Sequence, residues 1–130
     1  MKTFRKEERL CSKKHLDLLF KNGSSFLLYP LRFTYLQVND IKQVPAQVVI
    51  SVSKKRFKRA VDRNLLKRRI KEAYRLEKQA LFYQGLSEST SLVLLSIQYI
   101  GKDIYNYDLI LSKIQKALPK LVKNLRDEPA

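Results

Sequence analysis

Ala46-Gln47-Val48-Val49-Ile50-Ser51-Val52-Ser53-Lys54-Lys55-Arg56-Phe57-Lys58-Arg59-Ala60-Val61-Asp62-Arg63-Asn64-Leu65-Leu66-Lys67-Arg68-Arg69-Ile70-Lys71-Glu72-Ala73-Tyr74-Arg75 changes its hydrophobic period partway along. Up to Val52 the run is apolar and strand-like, opened by Pro45; Val52 points inward while Ser51 and Ser53 share the other face. From about Arg59 the period becomes helical. Leu66, Ile70 and Ala73 stand at i, i+4 and i+7 and make one apolar stripe. Arg63, Lys67, Lys71 and Arg75 follow one another four residues apart, with Asn64 and Arg68 on the same side. A strand therefore leads into a long helix, expected to reach Gln84 and to end at Gly85, with one face packed inward and the other lined by cations.

Within Ser53–Arg75 only Asp62 and Glu72 oppose the positive charge. Like charges at i, i+4 cost roughly 0.2 to 0.5 kcal/mol per pair in an isolated helix, so packing or a ligand has to stabilise the row. Solvated faces normally mix both signs, and this one does not. A ligand with regularly spaced negative charge is implied, and a phosphate backbone fits best. The whole chain shares the bias: 130 residues carry 27 Lys+Arg against 12 Asp+Glu, a formal net charge of +15. Such an excess speaks to partners rather than to fold.

Outward from this stretch the pattern is mixed, in one domain over residues 1–130 with frayed ends at about 1–8 and 124–130. Ser12 caps a short helix carrying Leu16, Leu19 and Phe20, which Asn22-Gly23 stops. The period then changes to two. Ser25–Tyr29 is a short strand candidate, and Leu31–Val38 a longer one in which Leu31, Phe33, Tyr35 and Gln37 alternate with Arg32, Thr34, Leu36 and Val38. Beyond the basic helix, Ser91–Ile100 is a strongly apolar strand bounded by Gly101. Asn106 or Asp103 caps a last helix that buries Leu109, Ile110, Ile114, Ala117 and Leu118, and Pro119 is expected to kink or end it. The order is α-β-β-β-α-β-α: an α+β fold, one mostly four-stranded sheet with packed helices.

Several functions are disfavoured. A single cysteine, Cys11, cannot form an internal disulfide and is expected to be a small buried or half-buried residue. The reducing cytoplasm is the natural compartment. Neither a signal peptide nor a membrane-spanning run is evident, and no membrane partner is expected. His15 has no evident partner, and Glu7, Glu8, Asp17, Asp62 and Glu72 show no metal-ligand spacing, so no catalytic or metal-binding residue is assigned.

Ser51-Val52-Ser53-Lys54-Lys55, followed by Ala60-Val61-Asp62-Arg63-Asn64-Leu65-Leu66-Lys67-Arg68-Arg69-Ile70-Lys71-Glu72, resembles the signature of the bacterial ribonuclease P protein component. That family shows Ser-Val-Ser-Lys-Lys, then Arg-Asn-Arg and a downstream Lys-Arg on the same helix. Element order and length agree along nearly the whole chain. Leu65 stands where the motif has its second arginine, and Arg69 is one turn further on.

The resemblance implies a protein that does no chemistry alone. In this family an RNA subunit is the catalyst, and the protein assists removal of the 5′ leader from precursor tRNA. No cofactor is then expected on the protein itself, and Mg2+ is expected in the RNA-containing holoenzyme. Partners would be the ribonuclease P RNA and precursor tRNA with its single-stranded leader. The family fold also implies a left-handed crossover from the third strand through the long helix to the fourth, against the general right-handed rule. Lys54, Lys55, Arg56, Arg59, Arg63, Asn64, Lys67, Arg68, Arg69, Lys71 and Arg75 would face RNA. The leader would lie in a cleft between the first helix and the sheet, against Phe20, Phe33, Tyr35, Ser51 and Ser53, with Leu16 where the family often has another aromatic.

Other readings compete on charge alone. A structural or ribosomal RNA-binding protein lacks a reason for the serine-lysine run joined to Arg-Asn. A helix-turn-helix DNA-binding module would need a short helix, not a strand, before the basic one. A membrane-surface helix would need exposed apolar residues opposite its cations, and the sheet gives those a better partner.

Overall fold

The computed structural model describes residues 4–40, 44–86 and 91–127. Its elements are α1 (Lys13–Asn22), β1 (Ser24–Leu28), β2 (Leu31–Val38), β3 (Ala46–Val52), α2 (Ala60–Leu81), β4 (Leu92–Tyr99) and α3 (Tyr107–Asp127), with short 3-10 turns at Lys6–Glu8 and Tyr83–Gly85. The strands form one four-stranded sheet in the order β1-β2-β4-β3. β1–β2 and β2–β4 are antiparallel, and β3 runs parallel to β4 with α2 between them.

Register sorts the side chains into two faces. On one, Phe33 lies opposite Ile97 and Tyr35 opposite Leu95, with Val48 and Ile50 continuing the rows on β3. This face packs with Leu66, Ile70, Ala73 and Tyr74 of α2 and Ile110, Ile114, Ala117 and Leu118 of α3 in the main core. The opposite face carries a smaller cluster of Leu92 and Leu94 with Leu10 and Leu19, against which Leu16, Leu36, Val38 and Val49 pack. β4 lies between both helical layers, so its apolar run has almost no polar interruption until Ser96 and Gln98. Each core side chain of Leu or Ile size contributes roughly 1.5 to 3 kcal/mol by leaving water.

The ends of the elements follow local chemistry. Ser12 accepts the amide of His15 at 3.3 Å, and Asn106, rather than Asp103, caps α3 by accepting the amide of Leu109 at 2.9 Å. Gly23 ends α1 for a reason of space, since its φ is −73°. A Cβ there would meet the carbonyl oxygen of Leu19 at 2.4 Å and that of Tyr35 at 3.0 Å. The basic helix stops earlier than expected, at Leu81, and Gly85 closes the 3-10 turn that follows. Pro119 does not end α3, which continues to Asp127 with Leu121, Val122 and Leu125 buried beyond it. The apolar stripe continues past the proline, and burying it outweighs the hydrogen bond that proline forgoes.

Residues 4–10 pack against β3 and α2. Leu10 donates its amide to the carbonyl of Val48 at 3.0 Å and thereby covers part of the β3 edge. Glu8 pairs with Lys78 in a site where each side chain is 3% exposed. It also accepts the Tyr83 hydroxyl at 2.6 Å and the Arg5 amide at 2.7 Å. The Phe4 ring lies 6.1 Å from Tyr74, with the cations of Arg9, Lys71 and Lys78 between 5.3 and 5.9 Å of its centroid. Other small expectations change as well: Cys11 is exposed, and His15 does find a partner, its Nε2 lying 3.3 Å from Asp40.

Candidate nucleic-acid interface

α2 spans 22 residues, about 33 Å at 1.5 Å per residue. Its start has no side-chain cap; Arg59 holds the N-cap position with extended backbone, and Asp62 supplies the first-turn acid. Asn64 lies inside the helix, beyond that cap, and is exposed together with Lys67, Arg68 and Lys71. Lys54, Lys55, Lys58 and Arg59 extend the exposed cationic surface into the loop before the helix, at the end where unsatisfied amides add their own positive field.

The arginines of this stretch divide into two groups. Arg63 turns back to donate to the carbonyls of Phe57 and Lys58 at 2.8 and 2.9 Å, bracing the loop on its own helix. Arg69 donates to the carbonyl of Tyr105 at 2.6 Å, and Arg56 to that of Ile100, so both fasten α2 and its loop to the segment after β4. Arg75 is paired with Glu72 at 2.6 Å; this hydrogen bond holds the Glu72 carboxyl below its ordinary range. Lys54, Lys55, Arg59, Asn64, Lys67, Arg68 and Lys71 thus form the outward surface, while Arg56, Arg63, Arg69 and Arg75 are tied to the protein. Sequence spacing ranked all of these alike, because a brace and a phosphate ligand share one side-chain chemistry.

The cleft between α1 and the sheet is on the opposite face. Phe20, on α1, is 55% exposed. Across the sheet, register aligns Leu27, Arg32, Gln98 and Ser51 in one row and Ser25, Thr34, Ser96 and Val49 in the next. Ser25 and Thr34 hydroxyls are 3.0 Å apart, and the Ser96 hydroxyl is buried with no hydrogen-bond partner among the described residues. Ser53, at the end of β3, is exposed and accepts the amide of Lys55 at 3.2 Å.

Two expected cleft residues are elsewhere. Phe33 is fully buried and Tyr35 is 5% exposed, both in the core under α2 and α3. Phe33 stacks on Phe26 with centroids 5.2 Å apart. The two long helices bury the larger apolar face, so the aromatic side of β2 goes to them, and Arg32 and Thr34 face the cleft instead. Sequence reasoning missed the polar residues of this side of the sheet: Arg32 and Gln98, which reach its surface, and Thr34 and Ser96, which are buried in the next row. Their signal was available: on β2 they are the residues alternating with the aromatics, and on β4 they are polar positions in an apolar run.

Among the described residues no group of His, Cys, Asp and Glu is arranged to hold a metal ion, and no helix is long and apolar enough to cross a membrane.

A strongly cationic helix on one side of the sheet and a partly polar strand face beside α1 on the other define a class: a single-domain α+β protein with two unlike surfaces on opposite faces of one four-stranded sheet. The family model for Ribonuclease P matches residues 4–122, and the chain belongs to the ribonuclease P protein component family. It is 32% identical over 120 residues to the ribonuclease P protein component of Porphyromonas gingivalis, covering 92% of this chain and 87% of that one. The corresponding protein of Chlorobium phaeobacteroides is 37% identical over 133 residues, with 95% and 88% covered. Two solved structures share the fold at 19% identity. The Staphylococcus aureus RNase P protein gives a TM-score of 0.63 over 91% of this chain and 97% of that one. The Thermotoga maritima RNase P protein gives 0.65 over 87% and 96%.

Proposed function

We propose that this chain is the accessory protein of ribonuclease P, binding the RNA subunit through α2 and its preceding loop and the single-stranded 5′ leader of precursor tRNA through the α1–sheet cleft. The chemistry of leader removal, and the Mg2+ it uses, belong to the RNA-containing holoenzyme. The observation that carries this reading is the placement of two unlike surfaces on opposite faces of one sheet. One is an exposed cationic helix suited to phosphates; the other is a cleft with an exposed ring at its edge and hydroxyl, amide and guanidinium groups on its floor, suited to unpaired nucleotides.

Cleavage of precursor tRNA by the cognate RNA subunit at low magnesium, with and without the chain, tests the reading. The chain is expected to raise cleavage strongly and to cleave nothing by itself. RNA-free cleavage that survives rigorous nuclease removal, or no stimulation at all, defeats it.

The two surfaces predict different mutant behaviour. Lys67→Ala and Arg68→Ala should each lower the log-log salt dependence of binding to the RNA subunit by about 0.7 to 0.9 for every phosphate that the variant no longer neutralises. Unchanged slopes would return that face to ordinary solvation. Phe20→Ala should weaken discrimination of precursor from mature tRNA by about 1 to 3 kcal/mol while leaving the salt slope alone. Equal discrimination by variant and parent would remove Phe20 from the leader site.

A further inference from the structure

The outer face of α3 carries a second row of cations that the sites above do not use. Lys113, Lys116, Lys120 and Lys123 recur every three or four residues, and Lys116, Lys120 and Lys123 are exposed. They lie away from Ile110, Ile114, Ala117, Leu118, Leu121 and Val122, which are buried. Between Asp108 and Asp127 the sequence has no acidic residue. None of these lysines forms an ion pair with a carboxylate among the described residues. Lys120 rests its ammonium 4.8 Å from the centroid of the Phe26 ring on β1. Each step along the row repeats a like-charge neighbour, which is destabilising on a helix surface. The helix tolerates this because its buried stripe is long, but no carboxylate among the described residues relieves it.

α3 packs beside α2 on the same face of the sheet, so the outward sides of both helices belong to one layer. Successive lysines are separated by about 4.5 to 6 Å of helix rise, a regular spacing of the same order as the charge repeat of a nucleic-acid backbone, roughly 3.4 Å of axis per phosphate for one strand of a B-form duplex. We infer that the outer face of α3 is a second phosphate-backbone track, carrying the RNA subunit beyond α2 across the helical layer. The inference rests on the proposed function, because it takes the same structured RNA as occupant; the leader is excluded by lying across the sheet.

The test is the variant K116Q/K120Q/K123Q, read by the salt dependence of binding to the ribonuclease P RNA subunit and to a single-stranded leader oligonucleotide, beside Lys67→Ala and a thermal melt. The triple variant should lower the slope for the RNA subunit by about 2 to 3 and leave the slope for the oligonucleotide unchanged. An unchanged slope for the RNA subunit, next to a lowered slope in Lys67→Ala, overturns the α3 track alone. A parent chain that fails to bind the RNA subunit overturns the functional reading as well. Acetylation footprinting of the parent chain gives an answer independent of folding. Lys116, Lys120 and Lys123 should be modified in the free protein and protected by bound RNA subunit; continued modification in the complex overturns the track.

Discussion

Phe33→Ala is expected to destabilise the protein by about 3 to 5 kcal/mol, the usual cost of emptying a buried aromatic site. That corresponds to a fall in Tm on the order of 10 to 20 °C for a domain of this size. The ring is fully buried, stacks on Phe26 at an interplanar angle of 18°, and lies opposite Ile97 in the β2–β4 pair. Phe20→Ala, at a ring that is 55% exposed, should leave Tm nearly unchanged. Thermal or urea melts of both variants, with precursor discrimination measured on the folded fraction, separate packing from binding. A Phe33→Ala protein of parental stability that no longer discriminates precursor would move the ring from the core to the leader site.

The second large effect concerns the link between the N-terminal segment and α2. Glu8→Gln and Glu8→Ala leave the Lys78 ammonium buried without its carboxylate, which typically costs about 3 to 5 kcal/mol. Replacing both partners, as in Glu8→Leu with Lys78→Met, should recover most of that stability, because two desolvated charges are removed together. Failure of the double variant to recover would mean that the segment is held by something other than this pair.

The same site gives a pH dependence with a definite sign. Burial pushes the Glu8 carboxyl up, but hydrogen bonds from Lys78, Tyr83 and the Arg5 amide, with the Lys78 charge, together hold it below its ordinary value of 4.5. A carboxyl depressed in the folded state contributes stability that is fully present above its unfolded pKa and is lost as pH falls through the folded one. The parent protein should therefore lose stability progressively below about pH 4.5, and Glu8→Gln should show a flatter acid limb in denaturant titrations. Glu72, also depressed, is 46% exposed at its side chain and should add little, because solvent screens its pair with Arg75.

Phe33 and Glu8 differ in how far local pattern reveals them. The alternation of β2 and β3, the helical stripe Leu66–Ile70–Ala73, the Ser12 cap and the apolar run of β4 are local patterns, and a period of 2 or 3.6 residues states them without knowledge of the partner. The charge row of α2 was legible for the same reason, and the serine-lysine and Arg-Asn runs added the family. Which face of β2 meets which helix layer was not legible. Alternation says that Phe33 and Tyr35 go together and Arg32 and Thr34 go together, but either pair is compatible with α1 until the sizes of the competing helical layers are compared.

The roles of the arginines were decided at the same level. Arg56 and Arg69 reach carbonyls at Ile100 and Tyr105, and Arg63 reaches across the loop, contacts that depend on where the segment after β4 comes to rest. The Glu8–Lys78 pair joins residues 70 positions apart. By itself the sequence determined the elements, their amphipathic faces, the sign and position of the charge, and the family. The tertiary structure alone decided which cations are spent on bracing, which aromatics are core and which acids are buried, because each of these depends on a neighbour brought from far along the chain.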